Sequence, residues 1–461
     1  MKLLALSRLA RWSGADLVGD DLVIQSIDID TRSLQPGGVY VALRGERFDG
    51  HDFCAAAKAA GARALLVERK VEVELPQLVC PDTRLALAAI ARELAATRST
   101  CVIGITGSNG KTTTRTLLHG ILQQVDAGAH ANPGNHNNEI GLPLALIGQP
   151  ESARFGIYEM GAGAPGDIAY LADILRPRVG MVTNVAAAHL ERMGNLLGVA
   201  DTKAAIYDAL PADGTAVINA DDAFAACFIE RAGDRRILTC GLETNADVYA
   251  RDILEEDDGS RFRLCTPQGE IEVSLPLPGR HQVANALAAA GLALAVDAPL
   301  AAIAAGLAQA RGVPGRQQRL ALVDGSIVLD DSYNANPGSV AVAVASLMAQ
   351  ARRHELPAWI ALGDMRELGP GSAILHADVG RLARDAGVVK LLAVGEMSRQ
   401  AVLAFGPGGE HFPSQEALLE RLANRDHRPF VLLVKGSRGS RMDKIVVALL
   451  HGQARGGDHA A

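Results

Sequence analysis

The chain has 461 residues, of which 48% are hydrophobic and 21% are charged, and its formal net charge is −7 at pH 7. This length exceeds what one ordinary core needs, so we expect a globular protein with two to four domains. The net negative charge argues against a nucleic-acid binder, because no basic stripe is available to neutralise phosphates. The six cysteines are scattered without zinc-ligand spacing, which predicts free thiols in a reducing cytosol.

The most apolar segments lack the length and the flanks of a membrane anchor. The N-terminal run MKLLALSRLARW is broken by Arg8 and Arg11 before a signal-peptide core forms, and NALAAAGLALAV is cut off by Asp297 and Pro299. We therefore expect a cytoplasmic protein that does not span a membrane, and we expect it to be a monomer.

The first 84 residues predict a small α/β domain. The β-like runs LVIQSIDIDTRS and VYVALRG flank the turn QPGG, and a helix-like HDFCAAAKAAGA and a strand-like ALLVE follow them. Asp82 and Thr83 can cap the alanine-rich helix that comes next, so we place the first domain junction there.

Residues 85–313 predict a central domain. The strand-like segments CVIGIT, ARFGIYEM, RVGMVTNV and GTAVINA alternate with helices, which indicates a doubly wound, mostly parallel sheet. Its ligand site should lie at the carboxyl ends of the strands. Residues 314–461 repeat the alternation with SIVLDDSY, AWIALGDM, VKLLAVGE and FVLLVKGS, and predict a third α/β domain beyond a hinge at residues 312–315.

The stretch IGITGSNGKTTTRTLL, residues 103–118, has the composition of a phosphate-binding loop. A glycine-rich turn precedes a helix, where backbone N–H groups and the helix N-terminus attract an anion. Lys111 would reach the β- and γ-phosphates, and Thr112 would offer an oxygen to Mg²⁺. The pattern G-x-x-x-x-G-K-[ST] wants glycine where this chain has Ile105, which indicates a variant loop. An ordinary glycine turn is the alternative, and we expect Ile105→Gly to matter little.

Three further residues are candidates for a site beside this loop. Glu159 ends an otherwise apolar strand, where a buried carboxylate needs a partner charge or a metal, and His189 follows the next strand. Taken singly, each is more often a hydrogen-bonded structural residue, but together beside a phosphate loop they predict a Mg²⁺ site. Lys203 is one of only eight lysines among 45 basic residues, although a surface charge on a helix is the simpler explanation.

The segment GAGAPG, residues 161–166, matches the dinucleotide-binding pattern G-x-G-x-x-G without its usual partner. A dinucleotide site also needs an acidic residue at the end of the following strand to bind the ribose. That strand, VGMVTNVAAAH, has no acidic residue before Glu191. We therefore reject a nicotinamide site.

Two polar clusters occur farther along the chain. In LPGRHQVANALAAA, His281 and Asn285 are four residues apart and would share one helix face. The segment VLDDSYNANPGS ends a strand with polar side chains that suit contacts to a ribose or a substrate, namely Asp331, Tyr333, Asn334 and Asn336. Asx-type turns explain these residues nearly as well.

A series of motifs occurs in one order along the chain: the loop from Thr106 to Thr113, then GNHNNEIGLP, EMGA, TNVAAAHLE, Lys203, LPGRHQVANALAA, VPGR, DDSYNANP, GDMRELG and VKGSR. Over nearly the whole length, this series resembles the Mur ligase family. DDSYNANP and VKGSR favour the type that adds D-alanyl-D-alanine, and the DNPR signature of the ligase that adds diaminopimelate or lysine is absent. Two mild departures, Asp443 in place of glutamate and the polar residues after Pro314, do not touch the chemistry directly.

The resemblance implies a UDP-sugar-binding domain at residues 1–84, a central ATPase domain at 85–313 and a C-terminal Rossmann-like domain at 314–461. It implies an ATP-dependent amide ligase of peptidoglycan precursor synthesis that joins D-alanyl-D-alanine to UDP-N-acetylmuramoyl-tripeptide. ATP would phosphorylate the terminal carboxylate of the tripeptide to an acyl phosphate, which the amine of D-alanyl-D-alanine then attacks.

The resemblance also implies roles for individual residues, with Lys111, His189 and Lys203 as the catalytic ones. Thr112 and Glu159 would hold one Mg²⁺, and His189 with a carbamylated Lys203 would help to hold a second. The implied ATP contacts are Thr106, Gly107, Ser108, Asn109, Gly110, Lys111, Thr112, Thr113, Asn285, Arg316 and Asp331. The implied contacts to the UDP-sugar and the other substrate groups are Thr31, Arg32, Asp49, Gly50, His51, Asn135, Asn138, Tyr333, Asn334, Asn336, Lys435, Ser437 and Arg438.

Two alternatives stay open on the sequence alone. Within the family, the chain could be the ligase of the preceding step or a relative of folylpolyglutamate synthase. Outside the family, it could be a nucleotide-dependent switch that uses the phosphate loop only to change shape.

Overall fold

The structure is a computed structural model, and it describes residues 3–45, 47–424 and 428–456. The α/β class that the sequence predicts is confirmed, since one five-stranded and two six-stranded sheets alternate with helices along the chain. Within the described residues, no helix is both long enough and apolar enough to cross a bilayer.

Short elements build the N-terminal region. In chain order they are β1 (Leu4–Ala5), α1 (Leu6–Ser13), β2 (Asp16–Val18), β3 (Val23–Ile24), β4 (Ile27–Asp28), β5 (Val39–Val41), a 3₁₀ helix (Gly50–Phe53), α2 (Cys54–Ala59), β6 (Ala64–Val67) and β7 (Gln77–Val79). Five of the strands form one sheet in the order β2-β7-β6-β5-β4, in which β2 alone runs antiparallel to its neighbour. The strands β1 and β3 pair separately.

Helix α3 (Thr83–Ala96) links this sheet to the next. The side chain of Asp82 accepts hydrogen bonds from the backbone N–H groups of Arg84 and Leu85, so the predicted cap is confirmed. Buried side chains of α3 share one apolar cluster with the N-terminal strands and with the central helices. The helix therefore packs against both regions, and the domain boundary at residue 84 stays a prediction, as does the one at residue 313.

The central region carries a six-stranded sheet whose neighbouring strands are all parallel. Its elements are β8 (Cys101–Thr106), α4 (Lys111–Gln123), β9 (His130–Ala131), α5 (Gly141–Gly148), β10 (Phe155–Glu159), α6 (Asp167–Leu175), β11 (Val179–Val182), α7 (Leu190–Met193), α8 (Leu196–Asp208), β12 (Thr215–Asn219), α9 (Ala225–Ala232) and β13 (Arg236–Cys240). The strand order is β13-β12-β11-β8-β10-β9. All four strands that the sequence predicts here are confirmed.

The strand order reverses around β8, because β10 lies on one side of it and β11 on the other. In a doubly wound sheet such a reversal opens a crevice at the carboxyl ends of the strands, where ligands bind. The loop at Gly107 follows β8, Glu159 ends β10, and residues 184–189 follow β11. The three predicted parts of the site therefore meet at this crevice.

An antiparallel sheet of three strands is the main element that the sequence reading missed. It consists of β14 (Tyr249–Glu255), β15 (Ser260–Thr266) and β16 (Gly269–Leu275), and the helices α10 (Arg280–Leu294) and α11 (Leu300–Ala308) follow it. Its signal is present, because buried Phe262 and Leu264 alternate with charged residues in SRFRLCT. The prediction of a mostly parallel sheet did not take this alternation of buried and charged residues into account.

The C-terminal region carries the second six-stranded sheet, in the order β17-β18-β22-β19-β20-β21. Its elements are β17 (Gln318–Ala321), β18 (Ile327–Asp331), α12 (Pro337–His354), β19 (Ala358–Gly363), α13 (Ser372–Asp385), β20 (Lys390–Val394), α14 (Ser398–Phe405), β21 (Gly409–Phe412), α15 (Gln415–Ala423), β22 (Val431–Lys435) and α16 (Asp443–Gly456), with 3₁₀ helices at Gly369–Gly371 and Arg438–Ser440. All strands but β17 pair in parallel. The four predicted strands are confirmed.

The expectation for Ile105→Gly is wrong for stability, because Ile105 is fully buried in β8 and packs into the central core. Removing the whole side chain leaves a cavity, and truncation of a buried isoleucine even to alanine typically costs about 2–5 kcal/mol. We expect a clear fall in melting temperature for Ile105→Gly, and a small one for Ile105→Val, which typically costs about 0.5–1.5 kcal/mol. An unchanged melting temperature for Ile105→Gly would contradict this packing.

Candidate active site

In the loop after β8, the backbone conformation requires glycine at two positions. Gly107 and Gly110 both have positive φ, +145° and +78°. A Cβ on Gly107 would lie 1.8 Å from the Thr183 hydroxyl oxygen, and one on Gly110 would lie 2.5 Å from the Asn285 Oδ1 atom. The glycines therefore let β11 and α10 approach the loop closely.

Side chains from the loop after β11 fix the turn in one conformation. The Thr183 hydroxyl donates to the carbonyl of Asn109 at 2.6 Å, and the Asn109 N–H donates to the Asn184 Oδ1 atom at 3.0 Å. Helix α4 begins at Lys111 directly after this turn. Its N-terminus carries partial positive charge and free N–H groups, which is the arrangement that binds phosphate.

Two lysines donate to one carbonyl oxygen in this loop. The Lys111 Nζ atom lies 2.8 Å from the Gly107 oxygen and 3.2 Å from the Ser108 oxygen, and the Lys203 Nζ atom lies 3.1 Å from the same Gly107 oxygen. Burial lowers the pKa of Lys111, against the pull of Glu159. Burial also lowers the pKa of Lys203 well below its usual value, and the Lys111 ammonium lowers it further. The structure therefore favours a neutral amine at Lys203.

Glu159 is a buried carboxylate surrounded by donors and cations. It accepts hydrogen bonds from the Thr112 hydroxyl at 2.7 Å and from the Asn137 amide at 2.8 Å, and Arg115 lies 3.7 Å away. Burial alone would raise the pKa of Glu159, but Lys111, the Thr112 hydrogen bond and Arg115 outweigh it and hold the pKa below its usual value. The carboxylate is therefore ionised at neutral pH.

The contact between Thr112 and Glu159 suits one kind of metal ion. Among the described residues, no group of three or more His, Cys, Asp or Glu side chains is gathered as in a structural metal site. One carboxylate and one hydroxyl form an oxygen set that fits Mg²⁺, which binds through one or two carboxylates and completes its shell with substrate phosphates.

His189 follows β11, and its Nδ1 atom is in hydrogen-bonding contact with the carboxylate of Glu367 of the C-terminal region. Its backbone is left-handed, with φ of +55°. Burial lowers the pKa of His189, and Lys203 and Lys111 lower it further, whereas Glu367 opposes them. The imidazole is therefore held neutral beside two lysines.

The C-terminal region contributes a second buried pair at the carboxyl ends of β18 and β22. The Lys435 Nζ atom lies 2.6 Å from the Asp331 carboxylate and 3.0 Å from the Asn334 carbonyl oxygen. Burial raises the pKa of Asp331 against the attraction of Lys435. The guanidinium groups of Arg316 and Arg438 lie 4.2 Å and 5.5 Å from the Tyr333 ring centre.

A cleft of about 790 Å³ lies between the central region and the C-terminal region. Asn336 spans it at one point, because its amide donates to the Asn109 Oδ1 atom at 2.8 Å while its own Oδ1 caps helix α12. The predicted residues that line this cleft are Ser108, Asn109, Gly110, Lys111, Thr113, Asn138, Glu159, His189, Asn285, Arg316, Asp331, Tyr333, Asn334, Asn336 and Lys435. Most of the predicted nucleotide contacts are thus brought together in one place.

Other predicted residues lie outside the lining of the cleft: Thr31, Arg32, Asp49, Gly50, His51, Thr106, Gly107, Thr112, Asn135, Lys203, Ser437 and Arg438. Lys203 lies behind the loop, where its Nζ atom donates a hydrogen bond to the Gly107 carbonyl oxygen. Ser437 is buried, and its hydroxyl accepts from the Arg366 N–H at 2.8 Å. Arg438 is exposed except for its contact with Tyr333.

In the N-terminal region, His51 is buried and both of its ring nitrogens have partners. Nδ1 lies 2.6 Å from the Asp49 carboxylate, and Nε2 accepts from the Glu68 N–H at 2.9 Å. Asp49 also pairs with Arg69 at 3.1 Å, and these contacts hold the pKa of Asp49 far below its usual value. His51 therefore shapes this loop, while the roles of Asp49 and His51 toward a UDP-sugar stay predictions.

The sequence reading missed several residues that hold the site. Asn137, which was not predicted, donates to the Glu159 carboxylate. The predicted residues are its neighbours Asn135, which is exposed, and Asn138. The Asn138 Oδ1 atom accepts from the Gly141 N–H. Nothing in the run GNHNN marks which asparagine turns inward, because that depends on the loop conformation. Arg115 lies in the phosphate-loop stretch and Glu367 in the motif GDMRELG, but neither residue was singled out.

Comparison with known families agrees with this geometry. Three family descriptions match the chain in order: Mur ligase family, catalytic domain, at residues 23–101; Mur ligase middle domain, at 105–293; and Mur ligase, glutamate ligase domain, at 315–438. The chain belongs to the Mur ligase family.

Individual relatives cover this Mur ligase almost completely. It is 41% identical to UDP-N-acetylmuramoyl-tripeptide–D-alanyl-D-alanine ligase of Escherichia coli over 96% of this chain and 98% of that one. A crystal structure of MurF from Acinetobacter baumannii is 32% identical, with a TM-score of 0.91 and coverage of 98% of this chain and 99% of that chain. MurF ligase from Thermotoga maritima, in complex with ADP, is 25% identical, with a TM-score of 0.80 over 94% of this chain and 98% of that one.

Two buried lysines of the site, Lys203 and Lys435, allow a test of whether Lys203 is neutral. Of these two, Lys435 has a carboxylate partner among the described residues and Lys203 has none. Lys435→Met would leave Asp331 unpaired, and breaking a buried pair typically costs about 3–5 kcal/mol. Lys203→Met removes one hydrogen bond, which typically contributes about 1 kcal/mol. We expect thermal unfolding to show a much larger loss for Lys435→Met, and a gain in stability for Lys203→Met would contradict a neutral Lys203, because it would mean that an unpaired buried charge had been removed.

Proposed function

We propose that this chain is an ATP-dependent ligase that joins D-alanyl-D-alanine to UDP-N-acetylmuramoyl-tripeptide in peptidoglycan precursor synthesis. The E. coli relative that is named for this reaction is 41% identical over nearly its whole length, which supports the choice of substrates. The observation that carries the proposal is the cleft itself. A phosphate loop with Lys111 forms one wall, and the ends of two C-terminal strands, with Asp331 and Lys435, form the other.

The reaction needs activation because a carboxylate is a poor electrophile. A carboxylate oxygen of the tripeptide attacks the γ-phosphorus of ATP, and ADP leaves. The amine of D-alanyl-D-alanine then attacks the acyl carbon, loses a proton, and expels inorganic phosphate from the tetrahedral intermediate. Lys111, the loop amides and the N-terminus of α4 neutralise the charge of the phosphoryl group during its transfer.

Thr112 and Glu159 have the donor atoms and the ionisation state to hold one Mg²⁺. When bound there, Mg²⁺ would supply positive charge to the oxygens of the phosphates. Glu159 is kept ionised by the surrounding cations and oriented by Asn137. His189 lines the same cleft and is neutral, so one ring nitrogen has a lone pair for a second Mg²⁺.

Lys203 would serve this second ion as a carbamate. The neutral amine attacks CO₂ and loses a proton, which replaces a cation by an anion with two oxygens. Two features support this modification. Burial lowers the pKa of Lys203 well below its usual value, which favours the neutral amine, and among the described residues no carboxylate pairs with it.

The other predicted contacts divide between the substrates. Asn285, Arg316 and Asp331 would meet the nucleotide. Asn138 would line the tripeptide channel together with Asn135. Further contacts to the substrates would come from Tyr333, Asn334, Asn336, Lys435, Ser437 and Arg438. The UDP-sugar would meet Thr31, Arg32, Asp49, Gly50 and His51. We place the reaction in the cytoplasm, where ATP is present, with the protein as a monomer.

One assay tests the reaction directly. Purified protein is incubated with ATP, Mg²⁺, D-alanyl-D-alanine and each UDP-N-acetylmuramoyl-tripeptide, and the product mass is measured. The ligase predicts a UDP-pentapeptide, and phosphate release that requires both acceptor and donor. Ligation of a single amino acid to a shorter precursor would instead identify the preceding step, and phosphate release without ligation would indicate a nucleotide switch.

Lys111→Ala should abolish ligation without loss of the fold. Removal of one group that stabilises a transition state electrostatically typically lowers kcat about 10²–10³-fold, and Lys111 also completes the loop through Gly107. The measurement is kcat together with the melting temperature. Lys444→Ala, which changes an exposed lysine of α16, is the matched control and should ligate normally. Near-normal ligation by Lys111→Ala would contradict the phosphate-loop role.

Lys203→Ala should be nearly inactive, and acetate or formate should restore part of the activity by placing a carboxylate in the vacated space. Lys203→Arg should stay inactive with either anion, because the arginine side chain fills that space and remains charged. Initial rates over a series of acetate concentrations test the claim. A Lys203→Ala enzyme that keeps most of its activity without added anion would overturn it.

A further inference from the structure

Glu367 of the C-terminal region lies against His189 of the central region. Its carboxylate pairs with the His189 Nδ1 atom. Both residues have left-handed backbones without being glycine, with φ of +55° at His189 and +63° at Glu367. Such conformations are sparsely populated, and they persist where the surrounding structure determines them, often at functional sites.

Backbone contacts hold the two loops together at this point. The Glu191 N–H donates to the Glu367 carbonyl oxygen at 3.2 Å, and a Cβ on Gly369 would lie 3.2 Å from the Glu191 Cα atom. On the C-terminal side, the N–H of Arg366 donates to the Ser437 hydroxyl. The position of Glu367 is therefore set by the C-terminal region, and its partner belongs to the central one.

The chemistry of this contact determines the tautomer of His189. A neutral imidazole carries one proton, and an ionised carboxylate can only accept a hydrogen bond. With Glu367 at Nδ1, the proton must lie on Nδ1, and Nε2 keeps its lone pair. A histidine that binds a metal ion through one ring nitrogen commonly donates its other ring N–H to a carboxylate, and this contact fixes both the tautomer and the ring orientation.

We propose that Glu367 is a positioning residue that, from the C-terminal region, fixes the tautomer and orientation of His189 in the central region. The central region then depends on a residue of the C-terminal region to orient a side chain of its own phosphoryl-transfer site. This inference rests on the proposed ligase function.

The kinetic test uses Glu367→Ala, Glu367→Gln and a double-mutant cycle with His189→Ala. Loss of a carboxylate that orients a metal-binding histidine typically lowers activity about 10–100-fold, so we expect Glu367→Ala to lower kcat by about this factor and to change the KM for ATP little. Glu367→Gln should recover most of the rate, since its amide oxygen still accepts from Nδ1. The double variant should be no slower than His189→Ala alone.

A matched control separates positioning from loss of an interdomain contact. Asp258 pairs with Arg319 between the antiparallel sheet and the C-terminal region at 3.3 Å, and neither residue lines the cleft. Asp258→Ala should keep kcat near that of the unchanged protein. A loss in Asp258→Ala equal to that in Glu367→Ala, or additive effects of His189→Ala and Glu367→Ala, would overturn the proposal.

The second readout does not depend on ligation. NMR of the full chain labelled with ¹⁵N-histidine, with ADP and UDP-substrate bound, should show His189 protonated at Nδ1, and His189→Ala identifies the signal. In Glu367→Ala this signal should shift toward the Nε2–H tautomer. An unchanged tautomer in Glu367→Ala would overturn the proposal. A failure of the unchanged protein to ligate would instead refute the proposed function, because the spectrum reports the contact alone.

Discussion

The carbonyl oxygen of Gly107 accepts hydrogen bonds from both Lys111 and Lys203, and the chemistry of the cleft depends on this shared contact. Two ammonium groups cannot be buried side by side without a large cost, so one of them must lose its proton or gain an anion. Burial lowers the pKa of Lys203 well below its usual value and the Lys111 ammonium lowers it further, whereas Glu159 raises the pKa of Lys111 against its burial. The same crowding leaves Lys111, with Glu159 and Arg115, as the charged set that faces a phosphate.

The contact can exist only because the chain makes a turn that excludes other residues. Gly107 has a positive φ, and the Thr183 hydroxyl occupies the space that a Cβ would need. The turn lies where β10 and β11 flank β8, so the strand order places it at the crevice of the sheet. The opposite wall comes from the C-terminal sheet, where the pair of Asp331 and Lys435 ends two neighbouring strands. Neither region alone encloses the cleft.

Sequence reasoning reached the parts of this site that depend on local pattern. Apolar strands followed by glycine or polar residues placed Lys111, Glu159 and Asp331 at strand ends, because strand type and position follow from composition and period. Asn137 and Glu367 were not singled out, although they lie in the motifs GNHNNEIGLP and GDMRELG, because their roles depend on loop conformation. Asn137 and Glu367 become recognisable only when the backbone shows which side chain turns toward Glu159 or His189.

The same limit explains the errors. The antiparallel sheet at residues 249–275 was missed because a domain-wide alternation of strands and helices was given more weight than a local period of two. Position 105 was judged only by whether it matched the glycine of the phosphate-loop pattern, although the Ile105 side chain belongs to the core. The sheet had a sequence signal that was given too little weight, whereas the burial of Ile105 follows from tertiary packing.

The central claim is that the cleft transfers a phosphoryl group from ATP to a carboxylate before the amide forms. It is tested most directly with a UDP-substrate whose terminal carboxylate is labelled with ¹⁸O, turned over with unlabelled ATP and D-alanyl-D-alanine. If the carboxylate attacks the γ-phosphorus, one ¹⁸O atom passes to the phosphate released in each turnover, and mass spectrometry of that phosphate will show it. Phosphate without ¹⁸O, released together with normal amounts of ligated product, would contradict the account.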